Sequence, residues 1–153
     1  DVSIELPIPA YIPDTYIVDS KDKIGAYQRL SSADTLEYLE EVRDDFIEDY
    51  GKIPKEVLNL FRIIEIKILA KKAGLLNVKA EAMPMSTDKE IVLTMSGHVK
   101  PANIISLLEH NPKWAISGTK LKINLKDLGA QWFDGLKSSI SALSSAAKHG
   151  GKK

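Results

Sequence analysis

The chain has no cysteine among its 153 residues. Disulfides, thiolate nucleophiles and Cys-ligated zinc are thereby excluded, and the composition suits a reducing, cytoplasmic setting. Histidine is scarce. His98, His110 and His149 are the only three, and none has a histidine or carboxylate at a zinc-ligand spacing. No metal or other cofactor is therefore expected. Gly97 and Gly118 are isolated, and neither GxxxxGK[ST] nor GxGxxG occurs, so no phosphate-cradling loop is visible. Ser138, Ser139, Ser141, Ser144 and Ser145 crowd the C-terminal region without a neighbouring base or an elbow motif. Nucleophilic catalysis needs an activated nucleophile and an oriented base, and the pattern supplies neither. Long apolar runs are also missing. The richest stretch, Val57 to Ala70, is interrupted by Asn59, Arg62, Glu65 and Lys67, too short and too charged to span a bilayer. No basic segment followed by an apolar run opens the chain, so no secretory signal is expected, and a start at Asp1 suggests a piece of a longer protein.

What is present is a division of charge. Residues 1–51 carry 13 acids against 4 bases, a net of −9, and residues 52–153 carry 8 against 17, a net of +9. The overall neutrality is a cancellation between two opposed halves. Eight of the acids fall between Asp34 and Asp49, where Arg43 is the only base. With 44% apolar and 27% charged residues, the chain is ordinary for a globular protein. Its length fits one domain, expected over residues 1–148, with a disordered Gly/Lys-rich tail from His149 to Lys153.

Pattern places the elements. Pro7, Pro9 and Pro13 keep the first 19 residues extended, with a short strand around Val2, Ile4 and Leu6. Ile8, Tyr11, Ile12, Tyr16 and Ile17 are expected to strap this arm to a core. A first helix is predicted over 21–30, capped by Ser20, buried through Ile24, Tyr27 and Leu30, and broken by Ser31, Ser32 and Ala33. A second is predicted over 34–50, opened by an Asp34–Glu37 capping box and closed by Gly51. Its buried stripe is Leu36, Leu39, Val42, Phe46 and Tyr50, with Ile47 beside it. A third, apolar on most sides and so central, runs from Pro54 to Gly74. Strands follow over 78–83 and 91–95, then a short helix from Pro101 and a hairpin of 114–116 with 119–125 through Gly118. Asp127 is expected to cap a last helix carrying Leu128, Trp132, Leu136, Ile140 and Leu143. The fold class is α+β: a helical N-terminal half packed with a small antiparallel or mixed sheet and flanking helices.

The acidic helix carries like-charge pairs four apart, including Glu37/Glu41, Glu40/Asp44, Glu41/Asp45, Asp44/Glu48 and Asp45/Asp49. Each costs an isolated helix about 0.2–0.5 kcal/mol. Glu48 and Asp49 also sit at the end where the helix dipole disfavours anions. These costs are small enough for a water-facing surface. They equally suit a docking face for a basic partner built on Glu41, Asp44, Asp45, Glu48 and Asp49. A cation or catalytic site on one exposed helix face lacks the enclosure that chemistry requires. In the second half Lys113, Lys120, Lys122, Lys126 and Lys137 suggest an alternative, a nucleic-acid contact with Trp114 or Trp132 as stacking rings. Lys120, Lys122 and Lys126 are its best candidates. The lysines are spread out, however, and the position of Trp132 on an apolar stripe favours core packing.

An ordered set of short motifs goes further. Leu6-Pro7-Ile8-Pro9-Ala10-Tyr11-Ile12-Pro13 precedes Tyr16-Ile17. Then come Tyr27-Gln28-Arg29-Leu30-Ser31-Ser32-Ala33, Leu39-Glu40-Glu41-Val42 leading into Asp49-Tyr50-Gly51-Lys52-Ile53-Pro54, and Leu69-Ala70-Lys71-Lys72-Ala73-Gly74. In order and spacing the first half of the chain resembles the C-terminal domain of bacterial transcription-repair coupling factors, and the second half matches more loosely. The resemblance implies a non-catalytic, autoinhibitory module of an ATP-driven DNA translocase. Such a module docks on the N-terminal repair module of the same polypeptide and masks its surface for the excision-repair damage-recognition protein. The parent would engage RNA polymerase and DNA through other domains, and no membrane partner is implied. By position, the family's polar contact surface falls on Asp45, Glu48 and Asp49. Asp49 stands where a basic residue is common in the family, as does Glu65 before Leu69, so individual ion pairs are expected to differ.

Overall fold

A computed structural model describes residues 1–151, with side chains as far as Ser144. The chain folds into two compact units. Residues 7–68 form a helical unit, while residues 1–6 and the chain from Leu69 onward form a sheet unit.

The helical unit begins with the extended proline-rich arm, whose Ile12 and Ile17 are buried while Tyr11 is exposed. Three contacts fasten the arm: Asn59 Nδ2 donates to Pro9 O at 2.8 Å, Tyr11 N to Glu56 O at 3.3 Å, and Ile12 N to the Tyr27 hydroxyl at 2.8 Å. Helix α1, Ser20–Ser32, is capped by Asp19 rather than Ser20. The Asp19 carboxylate, on an extended backbone, accepts from Lys21 N and Asp22 N. Ser31 and Ser32 do not break the helix. Their hydroxyls donate back to Gln28 O and Arg29 O, a bond compatible with helical backbone, and the chain turns extended only at Ala33. Ala26 and Leu30 face inward, leaving Ile24 and Tyr27 exposed instead of buried.

Helix α2, Leu36–Tyr50, is capped by Thr35, whose Oγ1 accepts from Tyr38 N at 3.1 Å. The Asp34–Glu37 box is therefore not the cap. Leu39, Val42 and Phe46 are buried, but Leu36 and Ile47 lie in solvent. Gly51 ends the helix at φ +86°, where a side chain would be strained, and its N–H closes on Ile47 O at 2.9 Å. Helix α3, Lys55–Ala73, starts one residue after Pro54, whose carbonyl accepts from Val57 N and Leu58 N. Val57 and Phe61 from α3 join Leu30, Leu39, Val42, Phe46 and Ile53 in one core, with Phe46 and Phe61 edge to face at 5.4 Å.

The sheet unit is built from five strands in the order β1-β2-β3-β5-β4. They are β1 (Ser3–Glu5), β2 (Leu75–Ala82), β3 (Lys89–Met95), β4 (Ala115–Ser117) and β5 (Lys120–Asn124). β1 pairs with β2 in parallel and every other pairing is antiparallel. Register puts Val78, Leu93 and Leu121 on one rung and Ala80, Ile91 and Ile123 on another of the same face, so that face is apolar and buried. Helices α4 (Pro101–His110), α5 (Leu125–Leu128) and α6 (Trp132–Gly151) complete the unit, with α4 packed on α6. Gly74, at φ +89°, turns α3 into β2. A Cβ there would stand 3.2 Å from Val99 N, so the site disfavours other residues on two grounds.

Asp127 does not cap the last helix. It lies inside α5, which Asn124 caps through Lys126 N, and Gly129 at φ +80° separates α5 from α6. Trp114 is buried and donates its indole N–H to Ser139 Oγ at 3.2 Å. The fold class is α+β as expected, with six helices and a five-stranded mixed sheet among the described residues. In the tail expected to be disordered, helical backbone is assigned through Gly151; Lys152 and Lys153 lie outside the described residues.

Candidate functional site

On α2 the buried residues and the acids take opposite sides. At 100° per residue, Glu37, Glu41, Asp44 and Glu48 fall on successive turns facing away from Leu39, Val42 and Phe46. Asp45 and Asp49 flank them. All six are exposed. The core therefore holds one side of a 15-residue helix fixed and presents the other as a negative ridge.

The five candidate carboxylates are not equivalent. Asp45 Oδ2 accepts from Arg29 NH1 of α1 at 2.9 Å. Arg29 also reaches the Tyr38 hydroxyl with Nε at 3.4 Å, and its guanidinium lies 5.7 Å from the Tyr38 ring centroid. The Tyr38 hydrogen bond first, and the Asp45 contact after it, hold the Arg29 pKa above its ordinary value. Asp45 thus ties α1 to α2. Glu41, Asp44, Glu48 and Asp49 have no ion-pair partner among the described residues. The role of Arg29 was not read from sequence; its signal was a base in the last turn of α1, a few residues before the acidic run that starts at Asp34.

The C-terminal end of the ridge has an aromatic corner. The Tyr16 hydroxyl donates to Gly51 O at 2.9 Å and Phe46 O at 3.2 Å, and its ring lies 5.7 Å from that of Tyr50. Burial raises both tyrosine pKa values. Tyr50 is pushed further by the carboxylates of Asp22, Asp49 and Asp19, and Tyr16 by Tyr50. Negative charge from the start of α1 therefore adds to that at the end of α2.

Of the candidate lysines, Lys120 and Lys122 stand together on β5, while Lys113 and Lys126 are each beside an acid. Lys120 and Lys122 share the polar face of β5, but the neighbouring rung on that face carries Glu81, Glu90 and Asn124, and Lys79 of β2 pairs with Glu5 at 3.4 Å. Lys126, off the sheet in α5, pairs with Asp88 at 3.0 Å, and this bond, then that from Asn124, lowers the Asp88 pKa. Lys113 lies 3.8 Å from Asp127. Trp114 is buried, so it offers no free stacking face, and half-buried Trp132 lies edge-on to Phe133. A cleft of about 330 Å³ opens among His110, Lys113, Trp114, Asp127 and Ser139. It holds one carboxylate, already beside a lysine, rather than the pair that acid–base chemistry would use. Among the described residues no three His, Asp or Glu side chains gather as a metal set.

Fold and ridge together define an α+β domain that offers one charged helix to its surroundings. The TRCF domain profile matches residues 6–98, more than half of the chain, and the chain belongs to that family, the C-terminal domain of transcription-repair coupling factors. The transcription-repair-coupling factor of Bacillus subtilis (strain 168) is 29% identical over 153 residues, covering 97% of this chain and 13% of that protein. That of Escherichia coli (strain K12) is 30% identical over 127 residues, covering 82% of this chain and 11% of that protein. The chain thus spans about an eighth of the length of such relatives. A crystal structure of the C-terminal domain of a transcription-repair coupling factor shares the fold, with a TM-score of 0.79 over 97% of this chain and 94% of that one at 22% identity. Among the described residues no helix is long and apolar enough to cross a membrane.

Proposed function

We propose that this domain is a non-catalytic, autoinhibitory interaction module. Through the α2 ridge it docks on the N-terminal repair module of its own polypeptide, an ATP-dependent DNA translocase, and masks the surface that recruits the excision-repair damage-recognition protein. The observation that carries this reading is the set of exposed, uncompensated carboxylates Glu41, Asp44, Glu48 and Asp49 on a helix whose other side is locked in a core. Fixed like charges at this density weaken the helix slightly, and a cationic partner removes that cost on docking. A polar surface also suits a contact that must open when the parent engages RNA polymerase on DNA. A few kcal/mol of differential contact is enough to shift such an equilibrium strongly.

The test is the triple substitution Glu41→Lys, Asp44→Lys, Glu48→Lys in the full-length parent. Asp45 is left in place because Arg29 needs it. Basal ATPase and binding of the damage-recognition protein should both rise, and the domain should keep its fold. Unchanged values for both would refute the latch.

A further inference from the structure

The acids explain attraction but not how a partner is seated, and a second feature of α2 speaks to seating. Leu36 and Ile47, 39% and 48% exposed, are apolar residues that the core does not take. They are eleven residues apart, which on an α-helix is 20° past three full turns and about 16 Å along the axis. Exposed Arg43 falls on the same line between them. Glu40 and Asp44 border the line on one side, and half-buried Tyr50 stands on the other at its C-terminal end. The exposed surface of α2 is therefore a narrow apolar line with a single cation in it and an acidic flank.

We propose that this line seats a basic amphipathic helix of the docking partner, with Leu36 and Ile47 as the anchors. The inference rests on the docking reading above and names the chemistry of its occupant. A helix fits because it satisfies its own backbone hydrogen bonds. A strand laid against α2 would leave its amides and carbonyls facing a surface with no free backbone groups. The occupant carries apolar residues at helical spacing to cover the two anchors and lysine or arginine on the flank that meets Glu40 and Asp44. Arg43 lies seven residues from Leu36 and four from Ile47. A carboxylate or amide opposite it satisfies the guanidinium in only one chain direction, so Arg43 fixes the polarity of the seated helix. A purely basic polymer lacks that group and docks less well.

The experiment uses the intact parent protein with a photo-crosslinking amino acid placed in turn at position 47 and at position 48 on the acidic side. Position 47 should cross-link to a segment with lysine or arginine on one helical face and apolar residues on the next. Separately, Ile47→Ser should lower the docked-to-open ratio about fivefold, the value for covering half an isoleucine side chain. Since Ile47 is already half exposed, Ile47→Ala serves as the conservative control should the serine variant lose stability. Cross-links from 48 but none from 47, with an unchanged docked fraction in both Ile47 variants, overturn the helix seat and leave charge-driven docking standing. No cross-link from either position overturns docking itself.

Discussion

Arg29 makes three contacts with α2, and this changes how the acids should be tested. Because its bond to Asp45 is partly exposed, it is worth no more than about 1 kcal/mol. Asp45→Asn should nevertheless lower the urea midpoint of the isolated domain, while Asp44→Asn, which breaks no pair, should leave it unchanged or slightly higher. Tyr16 offers a second residue-scale test. Its hydroxyl satisfies two carbonyls at the end of α2, so Tyr16→Phe should cost about 1 kcal/mol in equilibrium unfolding. Its pH dependence has a definite sign. Folding raises the pKa values of Tyr16 and Tyr50 above the ordinary 10.0, so the native state binds more protons than the unfolded state above about pH 10. The stability they contribute is fully present below that pH and is lost as pH rises through the folded values. Unfolding midpoints measured on either side of pH 10 should show this decline, and it should be smaller in Tyr16→Phe.

At the scale of the element, α2 combines a well-filled buried side with a self-repelling outer one. Neutralising Glu41, Asp44 and Glu48 together to Gln, Asn and Gln should raise the thermal midpoint of the isolated domain by removing like-charge pairs worth about 0.2–0.5 kcal/mol each. Added salt should shrink the difference. The turn after α3 behaves oppositely. Gly74→Ala must accept φ +89° and a Cβ 3.2 Å from Val99 N, and should destabilise by more than about 1 kcal/mol. Most helices and strands were legible because their apolar spacing is regular, and Gly51 and Gly74 mark their ends. Caps were less so. Asp19 and Ser20 are adjacent residues of similar capping ability, and Thr35 caps α2 although Asp34 is intrinsically the better cap, so only the path of the chain chooses between them. Helical spacing likewise could not tell that Leu36 and Ile47 lie outward, because a stripe wider than the core contact reads the same in one dimension. The acidic ridge was visible from composition, whereas the tie of Asp45 to Arg29 needed the packing of two helices.

For the molecule as a whole, the charge division of the sequence follows the architecture only in part. The acids concentrate on one helix, while the bases of the sheet unit are interleaved with acids and several are paired. The isolated domain should accordingly show weak DNA binding by fluorescence anisotropy. A tight complex whose affinity falls steeply between low and moderate salt would point instead to a phosphate-binding face. In sequence, the helical unit interrupts the sheet unit, because β1 precedes it and β2 follows.

β1 is the first strand of the sheet unit and lies at the edge of the sheet. It is a three-residue edge strand running parallel to β2, with Glu5 clasped by Lys79. Tension on β1 along the strand axis would load its rungs together in shear, rather than peel them one by one. The short strand then behaves as a mechanical fuse: it holds under brief tugs along its axis, and when it gives way it does so all at once.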